Sequence, residues 1–239
     1  MSLAVLAAGG AVGLTRCAVA KAPPAPGEVD PGAVAYSEGV ESAPVHVIYF
    51  DDYVCDDCAK FNTEAIEPLR AEWLAKGRAR LTVVDVAWKR GSVAGAAAAW
   101  CAAEQGKYWP MHEALFKRQE VWKRAVDIPA KLAEYARELG LDSARYAACA
   151  SKKVHRERLD AAEDATRALG VRGTPAFVVN GRLFYGSQQW PWVEQVLLAY
   201  ERGEPDAAPP PPFKIPTKQV VDSVKLRQLR DSLERARGE

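Results

Sequence analysis

Two cysteines separated by two residues, Cys55 and Cys58, are the residues of this chain best suited to chemistry. They lie between a run typical of a buried strand and a run typical of a helix. A cysteine attacks as the thiolate, and the unpaired N–H groups and the dipole at the start of a helix stabilise a negative sulfur. The second thiol lies about one turn further on, where it can attack a mixed disulfide. We therefore predict a redox pair in which Cys55 is the nucleophile and Cys58 the resolving thiol.

A second signal lies about 115 residues later, where Gly173, Thr174 and Pro175 precede another strand-like run. Proline is tolerated at the first residue of a strand, and a cis bond there turns the chain sharply. Such a turn leaves neighbouring backbone groups free to bond an extended peptide. We predict that Thr174 and Pro175 lie beside the sulfurs and bind the substrate.

The cysteine pair alone is compatible with two other structures. It could be half of a zinc site, but zinc needs two further ligands at similar spacing, and the three histidines are scattered. It could also be an inert structural disulfide. The order of strand, cysteine pair, helix and later Gly-Thr-Pro favours the redox site, so we predict neither a metal nor a cofactor.

The N-terminus resembles an export signal. The apolar stretch from Leu3 to Leu14 is too short to span a bilayer comfortably, and Ala18-Val19-Ala20 matches the small-x-small pattern that signal peptidase cleaves. We predict a signal peptide or N-terminal anchor over residues 1–20, and hence a location in the periplasm or cell envelope. The alternatives are lipid attachment at Cys17, which Arg16 immediately before it fits poorly, and an apolar helix packed on the domain.

The cysteine count indicates a second disulfide. Without Cys17 four cysteines remain, which can pair in three ways, and a Cys55–Cys58 bond leaves Cys101 for Cys149. In an oxidising compartment we predict a structural disulfide between them. The alternative is two buried free thiols.

Composition limits the partners. The 239 residues are 49% apolar and 26% charged, as in ordinary soluble domains, and the formal net charge is +1. Such a balance gives no basic surface for nucleic acid.

Hydrophobic periodicity divides the chain into segments. Strand-like and helix-like runs alternate, with parallel first strands, until a block that has only helical periodicity interrupts them. The helix after Cys55 should run to about Lys76 and kink at Pro68. The predicted segments are a linker (21–42), an α/β domain in two pieces (43–88 and 170–202), the helical insertion (89–169), a proline-rich linker (203–216) and a charged amphipathic helix (217–239). That last helix either packs on the domain or mediates self-association or partner binding.

Three segments resemble the DsbA-like thiol:disulfide oxidoreductases of the thioredoxin superfamily. They are YFDDYVCDDCAKF at 49–61, AAAAWCAAEQGKYWPMHEALF at 96–116 and LGVRGTPAFVVNG at 169–181. The resemblance implies an α/β thioredoxin fold with an inserted all-helical domain and a cis Thr174–Pro175 bond. It also implies disulfide exchange with exported proteins that carry cysteines, and a membrane or soluble redox partner protein.

The chain departs from the family pattern at two places. Asp56 and Asp57 stand where the family usually has proline and an aromatic residue or histidine, and negative side chains beside Cys55 oppose its ionisation. We therefore predict a less oxidising pair than the family norm. An acidic residue that assists proton transfer commonly precedes the first cysteine by six positions. This chain has Tyr49 there, which leaves three candidates for the proton route: Asp51, Asp52 and Asp85.

Three functions are compatible with this pattern. The first is an oxidoreductase, whose direction as oxidase, reductase or isomerase the sequence leaves open. The second is a non-catalytic thioredoxin-fold module that binds a metal or a partner protein. The third is a glutathione-dependent transferase, and Cys58 argues against it because those relatives generally lack the second cysteine.

Overall fold

A five-stranded sheet forms the centre of the computed structural model, which describes residues 35–89, 91–152 and 154–204. The strands are β1 (Tyr36–Gly39), β2 (Val45–Asp51), β3 (Ala79–Asp85), β4 (Ala176–Val179) and β5 (Arg182–Tyr185). Their order is β1-β3-β2-β4-β5, with β2 and β3 parallel and the other neighbours antiparallel. The predicted parallel pairing of the two long strands is confirmed.

Both faces of the sheet are buried, which explains the apolar run from Val47 to Phe50 within β2. Successive side chains of a strand point to opposite faces. Val47 and Tyr49 therefore enter one hydrophobic core, whereas Ile48 and Phe50 enter another on the opposite face. A strand that is covered on both sides favours apolar residues at consecutive positions.

A single helical run follows the cysteine pair. It comprises α1 (Asp56–Phe61), a π-helical turn (Asn62–Ile66), α2 (Glu67–Leu69) and a second π-helical turn (Arg70–Leu74). Pro68 lies between the two wide turns. Proline lacks an N–H group and its ring crowds the carbonyl four residues earlier, and turns with i→i+5 bonding relieve both effects.

Among the described residues, six α-helices form the block between β3 and β4, and a 3₁₀ turn (Ser187–Gln189) and one α-helix follow β5. The six are α3 (Ser92–Ala103), α4 (Tyr108–Lys117), α5 (Gln119–Trp122), α6 (Ile128–Glu138), α7 (Ser143–Ala150) and α8 (Val154–Ala168). The closing helix is α9 (Trp190–Glu201). Asp142 caps α7 by accepting a hydrogen bond from the N–H of Arg145.

Two predicted boundaries are corrected by the structure. The linker expected over 21–42 contains β1, which pairs with β3, because Tyr36 is buried and stacks on Tyr108 of the helical block at 3.8 Å. The insertion expected over 89–169 includes α8, but Ala162 of α8 packs in the same core as Ile48 of the sheet. Hydrophobic periodicity predicts a helix without indicating which surface the helix covers.

Several predicted features lie outside the described residues. They are the N-terminal segment 1–20 with Cys17, most of the 21–42 linker, and the segments from residue 205 to the C-terminus. Within the described part, no helix combines the length and the hydropathy that crossing a bilayer would require.

Candidate active site

Cys55 is the residue immediately before α1. It has extended backbone geometry, with φ −84° and ψ 119°, and its carbonyl accepts the hydrogen bond from Ala59 N–H that opens the helix. Its own N–H donates to the carbonyl of Asp52 at 2.8 Å, which closes the turn between β2 and the helix. The sulfur is thus placed at the positive end of α1, as predicted from the spacing.

The environment of Cys55 favours the thiolate. A hydrogen bond from the Cys58 thiol, aided by hydrogen bonds from the side chain of Thr174 and from Cys58 N–H and by the charge of Lys89, outweighs burial and lowers the pKa of Cys55 to about 6. At neutral pH this sulfur is therefore largely ionised. Only 5% of the residue surface is exposed, so most of the Cys55 side chain is shielded from solvent.

The pKa of Cys58 is shifted in the opposite direction from that of Cys55. Cys58 is fully buried, and burial together with the neighbouring Cys55 raises the pKa of Cys58 well above its usual value. Both cysteines are free thiols here, so the structure describes the reduced pair. The two thiols differ in pKa: the Cys55 thiol, which is 5% exposed, is acidic, and the fully buried Cys58 thiol stays protonated. This difference assigns the attack to Cys55 and the resolution of the mixed disulfide to Cys58.

The loop before β4 lies against this pair. The Thr174–Pro175 peptide bond is cis, and the carbonyl oxygen of Thr174 is 3.4 Å from Cys55 Sγ. Thr174 is half-buried and Pro175 is buried. The structure thus brings together the two segments that are about 119 residues apart in sequence, which was the main expectation from their residue types.

The two aspartates between the cysteines are exposed and differ in their contacts. Asp56 forms an ion pair with Lys123 Nζ at 2.6 Å, and this hydrogen bond lowers the pKa of the Asp56 carboxyl. The charge of Asp56 is therefore matched by a cation, and the prediction that the aspartates oppose ionisation of Cys55 stays a prediction. Asp57 points to solvent.

Gln119 holds the loop that carries Cys55. Its side-chain amide donates to the carbonyls of both Tyr53 and Cys55, each at 2.9 Å, and the residue is buried. Gln119 is the first residue of the short helix α5 of the insertion, and Lys123 directly follows that helix. Sequence reasoning missed both residues, because nothing in a lone Gln or Lys on a helix signals a contact more than 60 residues away.

Two buried carboxylates lie side by side at the ends of the central strands. Asp51 and Asp85 are register partners in β2 and β3, and both are buried. Burial raises the pKa of Asp85 to about 6, and burial plus repulsion from Asp85 raises the pKa of Asp51 well above its usual value. Ionising two adjacent buried carboxylates carries a large cost in free energy, so the pair shares one proton at acidic to neutral pH.

Of the three carboxylates proposed for the proton route, Asp52 is the least suited. Its Oδ1 accepts hydrogen bonds from the hydroxyl of Ser92 at 2.6 Å and from the N–H of Val54 at 2.9 Å, so it fixes local structure. By contrast, both oxygens of Asp51 and one of Asp85 are buried without a hydrogen bond from any other described group. Asp51 also lies close enough to Cys58 to raise the pKa of that thiol.

A buried polar chain connects the region of Cys58 with these carboxylates. Asn62 donates to the hydroxyl of Tyr49 and lies 3.0 Å from His112 Nε2, and His112 Nδ1 lies 2.8 Å from the hydroxyl of Tyr53. The hydroxyl of Tyr53 donates to that of Tyr108 at 3.5 Å, and Tyr108 donates to Asp85 Oδ1 at 3.3 Å. Burial lowers the pKa of His112 to about 3, so the imidazole is neutral. No sequence signal indicated this chain, because its members come from four separate elements and from the turn after β2.

Within the described residues, two groups bring three possible metal-ligating atoms within 4.8 Å of one another. One is Asp51, Asp85 and His112. The other is Cys101, Cys149 and His155, but its sulfurs are bonded to each other. The expectation that the protein takes no metal rested on sequence spacing alone and stays a prediction.

Cys101 and Cys149 form a disulfide that joins α3 to α7. The two Cα atoms are 5.6 Å apart and the bond closes a sequence separation of 48 residues. His155 Nε2 lies 2.9 Å from the carbonyl oxygen of Cys149 and within 3.5 Å of both sulfurs. The pairing agrees with the cysteine count, and its position in the insertion separates it from the Cys55 site.

Comparison with known proteins agrees with this geometry. The family model described as Thioredoxin matches residues 34–197. Disulfide bond formation protein D of Bacillus subtilis (strain 168) is 22% identical over 171 residues, which are 70% of this chain and 77% of that protein. The crystal structure of Chlamydia trachomatis DsbA superimposes with a TM-score of 0.63 at 20% identity, covering 70% of this chain and 92% of that one.

A third relative is much longer than the present chain. The Na(+)/H(+) antiporter NhaA of Herminiimonas arsenicoxydans is 32% identical over 181 residues, which are 76% of this chain but 27% of the antiporter. The chain spans about a quarter of the length of the antiporters that it matches.

Proposed function

This chain belongs to the thioredoxin family, among the DsbA-like thiol:disulfide oxidoreductases, and on that premise we propose that it exchanges disulfides with cysteine-bearing proteins through Cys55 and Cys58. One observation carries the proposal. A thiol with a pKa of about 6 stands at the start of a helix, with the cis-proline loop 3.4 Å from its sulfur and a second thiol buried behind it.

The exchange follows from this arrangement. In the reducing direction the Cys55 thiolate attacks a substrate disulfide, forms a mixed disulfide and releases one substrate thiolate. Cys58 then loses its proton and attacks Cys55 Sγ, which releases the second substrate thiolate and leaves the Cys55–Cys58 disulfide. The oxidising direction is the reverse, with two electrons passing from the substrate dithiol to the enzyme disulfide.

The buried carboxylates are suited to the proton of Cys58. Its raised pKa means that resolution requires a base, and Asp51 is the carboxylate whose charge reaches Cys58. The pKa values of Asp51 and Asp85 are both raised. This brings the titration of the pair closer to neutral pH, where a general acid or base works best. We assign to this pair the role that an acidic residue at the position of Tyr49 has in the family.

We infer that the pair is less oxidising than typical members of the family. A disulfide is a strong oxidant when its reduced form is stabilised by a very acidic thiol, as in DsbA with a pKa of about 3.5. The Cys55 thiol has a pKa of about 6, so its thiolate is stabilised less. The equilibrium constant of the Cys55–Cys58 pair with glutathione tests this inference, and an equilibrium as oxidising as that of DsbA would contradict it.

We also infer an extracytoplasmic location. The Cys101–Cys149 disulfide requires an oxidising compartment to persist, and the apolar stretch with its Ala-x-Ala pattern at residues 3–20 is suited to export. The substrates would then be exported proteins. A membrane or soluble redox partner would return Cys55 and Cys58 to their starting redox state after each exchange. Thiol labelling of Cys55 in intact cells with a membrane-impermeant reagent tests the location.

The test of the activity is disulfide exchange with a protein substrate such as insulin. We expect the wild type to react and Cys55→Ala to be inactive. Cys58→Ala should accumulate the mixed disulfide, because the bond to Cys55 forms and is not resolved. Reaction of Cys55→Ala at the wild-type rate would refute the assignment.

The alternative is a thioredoxin-fold module that binds a metal without turnover. The observation in its favour is the buried group of Asp51, Asp85 and His112, whose ligand atoms lie within 4.8 Å of one another. Metal content of the purified reduced protein, together with the absence of exchange activity, would favour this alternative.

A further inference from the structure

A cleft beside the cis-proline loop takes no part in the chemistry described so far. It has a volume of about 420 Å³, within the range of ligand sites. One wall is the loop after β3 with Trp88, and the other is α8 with Arg156, Glu163 and Arg167. Arg172, in the segment leading to the cis-proline loop, completes the lining.

Two short stretches of chain connect the cleft with the surroundings of the reactive sulfur. Arg172 is two residues before Thr174, whose carbonyl is 3.4 Å from Cys55 Sγ, and two residues of extended chain span at most about 7 Å. On the other wall, Trp88 directly precedes Lys89, whose charge acts on Cys55. A polypeptide whose cysteine has reached Cys55 would therefore place the side chains that flank that cysteine over the cleft.

The lining offers an excess of positive charge. Three guanidinium groups face one carboxylate. Arg172 is exposed and forms no ion pair with any residue that the structure describes. Arg156 pairs with Asp160 at 2.6 Å and Arg167 with Glu163 at 3.0 Å. Such i,i+4 pairs on a helix surface are weak, and each guanidinium has five N–H donors, so both arginines can bind a further carboxylate.

Two polar atoms of the cleft lack partners. The indole Nε1–H of Trp88 is a buried donor without an acceptor among the described residues, and Glu163 Oε1 is a buried acceptor without a donor there. Neither atom is open to solvent, so a ligand contacts them only after the side chains of Trp88 and Glu163 turn towards the cleft. A carboxylate would then accept from the indole N–H and a peptide N–H would donate to Glu163. A peptide with an acidic side chain supplies both groups, whereas a free inorganic anion supplies only the first.

We propose that this cleft binds an acidic side chain close to the reacting cysteine of the protein substrate, with Arg172 as its principal contact. The inference rests on the proposed function, because it concerns the specificity of the same site. It predicts that cysteines in acidic segments react faster than cysteines in neutral or basic ones.

The test uses a set of disulfide-bonded peptides that differ only in the residues flanking one cysteine, which are Glu, Gln or Lys. We expect kcat/KM of the wild type for the Glu peptide to exceed that for the Gln peptide by about fivefold, the effect of one ion pair, and to fall towards it as salt is raised. Arg172→Gln should abolish this preference and leave the rate with the Gln peptide unchanged. Arg137→Gln, an exposed arginine on α6, is the matched control and should behave as the wild type.

The other outcomes would contradict either this proposal or the proposed function. Equal rates with the three peptides, or a preference that survives in both Arg172→Gln and Arg167→Gln, would overturn the proposal. Inorganic phosphate that slows the Glu and Gln peptides alike in the wild type, but not in Arg172→Gln, would also overturn it and assign the cleft to free anions. Failure to react with any peptide would instead contradict the proposed function.

Discussion

The side-chain amide of Gln119 donates a hydrogen bond of 2.9 Å to the backbone carbonyl of Cys55. The inserted helical block thereby holds the residue that carries the reactive sulfur. The same amide group reaches the carbonyl of Tyr53, and Lys123, one turn later, pairs with Asp56. The insertion therefore supports the turn between β2 and α1 from one side, while the cis-proline loop contacts it from the other.

Replacement of this glutamine should affect both stability and exchange. Gln119→Leu leaves the buried carbonyl of Tyr53 without a donor, and we expect the free energy of unfolding to fall by about 1–3 kcal/mol. The turn that carries Cys55 loses its contact with α5, so kcat/KM for disulfide exchange should fall by about tenfold. Denaturant unfolding and peptide exchange kinetics measure the two effects.

Gln105→Leu is the matched control for that variant. Gln105 also bonds backbone groups within the insertion, accepting from the N–H of Asp142 at 2.9 Å and donating to its carbonyl at 3.4 Å. It touches no residue of the cysteine turn, so its loss should lower stability without changing exchange. An equal loss of exchange in both variants would show that Gln119 acts only through overall stability.

The reactivity of Cys55 should depend on pH with a midpoint of about 6. Only the thiolate reacts, so the rate of alkylation should rise through this pH and level off above it. Lys89 stabilises the thiolate by its charge, and Lys89→Gln should therefore move the midpoint upward. Lys76→Gln, which removes an exposed lysine paired with Glu72, should leave the midpoint in place. A midpoint that is the same in all three proteins would exclude the role of Lys89.

Local sequence was sufficient for the cysteine pair, the cis-proline loop and most strands. The run from Val45 to Phe50 is buried on both faces, and the turn at Asn180-Gly181 joins β4 to β5 as that dipeptide predicts. Each of these features is encoded by residues that are adjacent in sequence, so the pattern and the structure report the same short-range preference.

Contacts between distant segments could not be predicted in this way. β1 has only four residues, Tyr36–Gly39, and its place in the sheet depends on pairing with β3 more than 40 residues later. The charge of Asp56 was expected to act on Cys55, whereas the structure pairs it with Lys123, 67 residues away. Which cation meets a surface carboxylate is decided by how the helices pack, and the composition of either segment leaves this open.

The buried carboxylate Asp85 should destabilise the protein above neutral pH. Its pKa is raised from 3.8 in the unfolded chain to about 6 in the fold, so the folded state keeps a proton that the unfolded state has already lost. The free energy of unfolding should therefore fall as pH rises from about 4 to about 6. Asp85→Asn removes this penalty, and we expect a gain of up to about 3 kcal/mol at pH ~8 that vanishes near pH ~3.

Denaturant unfolding at both pH values measures this gain. The control is Asp164→Asn, because Asp164 is an exposed carboxylate on α8 with a weak ion pair to Arg167. It should show no comparable gain. If Asp85→Asn were less stable than the wild type at pH ~8, the hydrogen bond from Tyr108 would outweigh the cost of burying the charge, and the carboxylate would not be the strained group inferred here.

The Cys101–Cys149 disulfide should contribute to stability and leave the reactive thiol unaffected. It links residues that are 48 positions apart in sequence. In the chain-entropy model this lowers the entropy of the unfolded chain and raises the free energy of unfolding by about 4 kcal/mol. We expect Cys101→Ala combined with Cys149→Ala to lose stability of this order. The pKa of Cys55 should stay at about 6, because the groups that lower it most come from the cysteine turn, the cis-proline loop and Lys89.

The matched control removes the other pair of cysteines. Cys55→Ala combined with Cys58→Ala deletes two sulfurs that are free thiols in the structure. No cross-link is lost, so the free energy of unfolding should change far less. Unfolding of both double variants under non-reducing conditions makes the comparison. Equal stability of the two variants would mean that the bridge restricts the unfolded chain too little to matter. A shift in the Cys55 midpoint on removal of the bridge would instead show that α3 and α7 transmit a change to the cysteine turn through the helices that Gln119 anchors.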